Sequence, residues 1–240
     1  MANGRLEKLL NRFADVRGHE AHAALYLSGF FFLITFTFYI IKPVKESFLI
    51  GINPAWWPYA DLATALLIGF VVALNVRLLN RLPRRIYISA TLLFFIGSLL
   101  VFWYAFDVYL KKSVQTPVAD SSGGIFFIWI PLAIIKAGTV PVFVFSFWTD
   151  VFIAMSVTQF WLAVNDVFDP YQGKRLVGLF VTGGLFGGIA GSSLAALMVF
   201  AKLISAGNLL LVCPVILLLA LIMVNLVYRE QQHLRETAGA

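Results

Sequence analysis

Apolar positions in this chain come in long unbroken runs, not in alternation. The first run extends from Ala23 to Ile41, is interrupted by Lys42-Pro43-Val44-Lys45-Glu46, and resumes over residues 47–52. Runs of about 20 apolar residues predict transmembrane helices. The first span starts near Ala21 and is long enough to cross by Ile41; either Pro43 breaks the helix there, or the helix continues through it to about Ile50, long and tilted. A second covers about 59–79, a third about 86–106, a fifth about 177–200 and a sixth about 209–228. Asn53-Pro54 with Trp56 and Trp57 reads as an outer turn with interfacial aromatic anchors. Residues 107–124 read as an outer loop and 229–240 as a polar tail.

The stretch 125–168 is too long for one span. It holds either two spans or one, about 140–164, preceded by an interfacial or re-entrant piece. Charge bias selects one span. In that arrangement the basic residues of the N-terminal segment, Arg77, Arg81, Arg84 and Arg85, Lys174, Arg175, Arg229 and Arg235 share one side. The outside loops hold only Lys111, Lys112 and Lys202. The expectation is six spans with both termini cytoplasmic. Residues 1–20 read as a cytoplasmic amphipathic segment, with Leu6, Leu9, Leu10, Phe13 and Val16 at helical spacing between basic residues. Residues 21–228 then form the transmembrane domain and 229–240 a cytoplasmic tail.

Composition narrows the class further. Hydrophobic residues make up 60% of the chain and charged residues 12%, about half the usual charged share of a soluble domain. Mean hydropathy is +0.88. The fold class is an all-α polytopic membrane protein with six transmembrane helices. A β-barrel needs short alternating segments, which are absent. The net charge of +6 is explained by orientation in the membrane, so no nucleic-acid partner is expected; membrane lipid is. Cys213 is the single cysteine, and the three histidines flank the spans. No disulfide, metal site or cofactor is expected. No nucleophile–base pair suggests an enzyme.

Ionisable groups at membrane depth are candidate functional residues, because each costs about 2.5–3.5 kcal/mol on insertion scales unless something offsets it. They are Lys42, Lys45, Glu46, Asp61, Lys136 and Asp150. Lys42, Lys45 and Glu46 share one helix face. The bland alternative for the lysines is snorkelling toward the outer water. Asp61 and Lys136 read as interfacial. Asp150 lies mid-span, on the face of Ser146, and calls for a cavity or an ion pair. Two lysines, a glutamate and an aspartate suit an anionic or zwitterionic substrate. Gly183, Gly184, Gly187, Gly188 and Gly191 line one face of the fifth span, a pattern that lets helix backbones approach closely.

Two motifs carry a family resemblance. Phe160-Trp161-Leu-Ala-Val-Asn165-Asp166-Val-Phe168-Asp-Pro-Tyr-Gln-Gly-Lys174-Arg175 resembles the end of the fourth span and the following loop in ATP/ADP translocases and their bacterial relatives. Lys42-Pro43-Val44-Lys45-Glu46 is similar to that family's basic-x-x-Lys-acidic element in span one. The resemblance implies a nucleotide exchange carrier of major-facilitator architecture, with Lys45 at the nucleotide-binding lysine and Lys42 at the preceding basic residue. Asp150 falls one residue from the family's span-four acidic position. Of the major-facilitator loop motif between spans two and three, Arg81, Arg84 and Arg85 fit; Val76, Asn80 and Pro83 replace its glycines and aspartate.

Such carriers pair two six-span halves about a midplane site. The chain would then be one major-facilitator-type half-bundle, completed by a second six-span half or a homodimer, in a bacterial inner membrane. Lys42, Lys45, Glu46, Asp150 and Asn165 would line the site for ATP, ADP or a similar organic anion. The glycine face would pack a moving interface. The alternatives are proton-coupled transport of another anion through Glu46 or Asp150, and a non-transporting truncated or interaction subunit.

Overall fold

The computed structural model describes residues 21–52, 57–113, 140–201 and 208–238. Among these there are six long α-helices: α1 (Ala21–Ile52), α2 (Trp57–Leu79), α3 (Arg84–Ser113), α4 (Val140–Val167), α5 (Pro170–Phe200) and α6 (Val212–Ala238). A short 3-10 turn, Asn208–Leu211, leads into α6. All six helices are long and apolar enough to cross a membrane, so the protein is an all-α, multi-pass membrane protein. The expected amphipathic segment 1–20, the Asn53-Pro54 turn and the 125–139 piece with Lys136 lie outside the described residues.

The spans coincide with the apolar runs, but the helices outlast them. α3 continues through Lys111 and Lys112 to Ser113, where a loop was expected. α5 begins at Pro170, so Lys174 and Arg175 sit in its first turns and not in a connecting loop. α6 runs through the expected tail to Ala238. The α4–α5 joint is short because its chemistry is that of a helix start. The Asp169 backbone N–H donates to Gln172 Oε1 at 3.0 Å, and Pro170 occupies the first turn, where its missing N–H costs nothing.

α1 is the hub. Its 32 residues reach about 48 Å at 1.5 Å per residue, well beyond a hydrocarbon core of about 30 Å. It packs against α4, α5 and α6. Pro43 lies inside α1 without breaking it; its ring nitrogen has no hydrogen to give the Tyr39 carbonyl.

The tightest seam joins α1 to α5 through the glycines. A Cβ at Gly183 would stand 2.5 Å from Ser28 Oγ and 2.9 Å from the Ser28 carbonyl oxygen. At Gly187 it would collide with Thr35 Oγ1 and the Phe32 carbonyl, and at Gly191 with the Phe36 carbonyl. Helix backbones meet here, so only glycine fits. The glycine face thus packs inside the bundle against the first span.

α3 and α4 are joined by aromatic rings. Phe95 meets Trp148 and Phe152 edge-on at 5.6 and 5.0 Å, and Phe102 and Phe106 both meet Phe145 at 5.1 Å. These are favourable geometries for ring pairs. Phe160, the first residue of the motif on α4, stacks on Phe31 of α1 at 4.2 Å and is fully buried.

α2 stands apart. Among its side chains whose burial is described, only Thr64 and Asn75 are buried, and both are polar. Its apolar residues face outward, with Leu66 at 74% and Phe70 at 72% exposure. Asn75 Oδ1 accepts the Tyr87 hydroxyl of α3.

Candidate functional site

The ends of the bundle differ in their chemistry. At one end Arg84 Nη1 donates to Asp166 Oδ1 at 2.7 Å, linking the start of α3 to the end of α4. Gln231 of α6 donates to the Asp166 carbonyl at 3.0 Å, and Arg85 reaches Asn225 at 3.2 Å. These contacts tie three helices together close to the Phe160–Arg175 motif. Toward the opposite end, Trp103 of α3 meets Asn208 at 3.3 Å. α3 and α4 therefore run antiparallel, α3 ending where α4 begins.

Lys45, Asp61 and Asp150 meet nearer this second end. Lys45 is 7% exposed, unusual for a lysine. Its Nζ donates to both carboxylate oxygens of Asp150, at 2.8 and 2.7 Å. Such charge-assisted contacts are short and strong. Nζ also stands 3.6 Å from Asp61 Oδ1. One ammonium thus joins α1, α2 and α4. Asp150 is partly exposed, at 27% of its side chain, and Asp61 more so, at 54%.

Helical spacing explains the rest. Glu46 stands one turn from Lys42, 4.0 Å across, with side-chain exposures of 30% and 49%. Lys42 is therefore the accessible cation of the group and Lys45 the internally matched one. Of the expected site residues, Lys45 and Asp150 meet directly, and Lys42 and Glu46 pair with each other on the same helix as Lys45. Asn165 joins neither pair: it is exposed near the Arg84 end, about 22 Å along α4 from Asp150 at 1.5 Å per residue.

Sequence reasoning took Asp61 as an interfacial residue, yet it is the second carboxylate on Lys45. A signal existed: Asp61 opens the second span just as Lys45 closes the first, so a short connection sets them at similar depth. A second feature, of which sequence reasoning used only Ser146, is the polar stripe on the inner face of α4. Ser146, Thr149, Ser156 and Gln159 are all buried there. Thr149 returns its hydroxyl to the Phe145 carbonyl at 2.8 Å. Gln159 lies beside the Tyr87 hydroxyl, but neither of its amide atoms is in hydrogen-bonding geometry.

No group of three or more metal-ligating side chains occurs among the described residues. A groove of about 490 Å³ between α1, α5 and α6 is lined by Tyr26, Ser28, Phe32, Thr182, Phe186 and Met223 among others. It holds no charged side chain and lies at the Arg84 end, away from Lys45. Comparison with known protein families, curated proteins and solved structures finds no match.

Proposed function

We propose that the protein is a membrane carrier for an organic anion, with a nucleotide such as ATP or ADP as the first substrate to test, and not an enzyme. Lys45 carries this reading. It is a buried ammonium at membrane depth, held by a partly exposed carboxylate on another span and flanked by the exposed Lys42–Glu46 pair. Intramembrane charges that face one another mark substrate and ion paths. Lysine binds phosphate as a compact point charge. The two motifs that resemble ATP/ADP translocases support the nucleotide as substrate.

In this reading Lys42 makes first contact and Lys45 leaves Asp150 for the substrate. A site open on one side of a six-helix unit needs a facing wall. A second six-helix half, or a second copy of the chain, would supply it and rock against the first. The Arg84 end would face the cytoplasm of a bacterial inner membrane, by its arginines.

The test is exchange of labelled ATP for ADP in proteoliposomes, with any partner half present. Exchange should fall at least tenfold (about 1.4 kcal/mol) in Lys45→Ala and partly in Lys42→Ala. Uptake unchanged in Lys45→Ala would sink the reading. Uptake of another organic anion but not of nucleotides would keep the carrier and replace its substrate.

A further inference from the structure

We infer that the anion enters together with a cation, a proton or an alkali ion, and that Asp61 is the residue that takes the cation. This rests on the carrier reading and concerns the same site. The argument starts from a count of charges. The charged groups within 4 Å of Lys45 Nζ, among the described residues, are Asp61 on α2 and Asp150 on α4; Lys42 and Glu46 on α1 pair with each other. One ammonium faces two carboxylates, so this triad, fully ionised, carries one negative charge in excess. Such a cluster repels an anion.

The distances show where the imbalance lies. Lys42 is matched by Glu46. Lys45 serves two carboxylates, held closely by Asp150 at 2.7 Å and less closely by Asp61 at 3.6 Å. When Lys45 turns to an anionic substrate, Asp61 and Asp150 lose their shared counter-ion. Both lie within 4 Å of one nitrogen, so they are left as near neighbours of like charge. Two carboxylates sharing a site cannot both stay ionised cheaply. A cation that takes the place of Lys45 removes the repulsion and the excess negative charge together.

Asp61 is the acceptor by access and by attachment. Its side chain is twice as exposed as that of Asp150 and more loosely held, so a cation reaches it first. It sits on α2, whose described buried side chains are only Thr64 and Asn75. Once Lys45 leaves, the ion pair that joins α2 to α1 is lost. Cation uptake at Asp61 therefore registers anion binding as a loosening of α2.

The experiment uses the full chain, with its partner half if one is required, purified in detergent and titrated with ATP or, in a separate arm, inorganic phosphate. Affinity is measured at neutral pH in choline chloride, after replacement of choline by sodium, and after acidification. In the wild type, one of the two changes should tighten binding at least fivefold, about the lower end of ordinary coupling between two ligands. A response to acid assigns the cation as a proton, and a response to sodium as an alkali ion. In Asp61→Asn the response should vanish, with binding in choline as tight as that of the wild type with its cation. Any acid response that persists in this variant reports the titration of ATP itself and is subtracted. Asp61→Glu should restore the coupling. Binding that responds to neither cation, or a response as large in Asp61→Asn as in the wild type, overturns the inference and leaves the anion site standing. Absence of any ATP or phosphate binding, in every condition, overturns the carrier reading itself.

Discussion

Replacing Asp150 with asparagine isolates the contribution of the Lys45 ion pair. The change keeps the shape of the side chain and removes its charge, leaving a buried ammonium with Asp61 as its remaining carboxylate within 4 Å. Removing one partner of a buried pair costs about 3–5 kcal/mol, because the other charge stays behind uncompensated. Two observations reduce that figure. Asp150 is 27% exposed, so water already screens part of the attraction. Asp61 remains at 3.6 Å, and by inverse distance it supplies about three quarters of the attraction that Asp150 exerts at 2.7 Å, before its greater exposure weakens it further. The expected loss is about 2 kcal/mol. Asp61→Asn should cost less than about 1 kcal/mol, since that carboxylate is mostly in solvent. Lys45→Met removes the cation, and the double variant Lys45→Met/Asp150→Asn should be more stable than the sum of the single changes by about 1–2 kcal/mol. Titration of reversible unfolding in mixed micelles measures all four. Additive losses, or Asp150→Asn within about 0.5 kcal/mol of wild type, would refute the coupling between these residues.

Three further outcomes follow from the packing. Gly187→Leu and Gly191→Ala should each lower the stability of the bundle by about 1–3 kcal/mol or more, the usual cost of overpacking, because the new carbon meets carbonyl oxygens of α1; Gly97→Ala, with nothing within 4 Å, should be neutral or mildly stabilising in the same unfolding titration. The Arg84–Asp166 pair is half exposed on the arginine side, so Arg84→Ala should cost only about 0.5 kcal/mol, less at high salt. Cys213 has no exposure, so a maleimide should leave it unlabelled in the folded protein and react on denaturation; rapid labelling of the native protein would place α6 wrongly.

The positions of the spans were legible because bilayer insertion is governed by hydropathy, and runs such as 59–79 have no competing reading. The ends of the helices were not. Lys111, Lys112, Gln172 and Lys174 are polar, and hydropathy records what a residue prefers as solvent, not whether its backbone is helical. The cluster was half legible. Lys45 and Asp150 stood out as charges without an interfacial explanation, but that they meet each other depends on how α1 and α4 pack. Asp61 was obscured by its closeness to the turn. The glycine face was legible as a close contact, while its partner was not: the rings and carbonyls of α1 that receive it leave no mark in the spacing of α5.

The order of synthesis gives the Lys45 triad a different meaning. The ammonium enters the bilayer with α1, and Asp150 follows 105 residues later, roughly 5–20 s at ordinary rates of translation. Asp61 arrives on the very next helix. The weaker partner of the finished protein is thus the first counter-ion the lysine meets, and it accompanies that charge until α4 is made. Losing Asp61 should therefore harm the yield of inserted protein more than it harms the stability of the protein once assembled, and Asp150 should show the reverse.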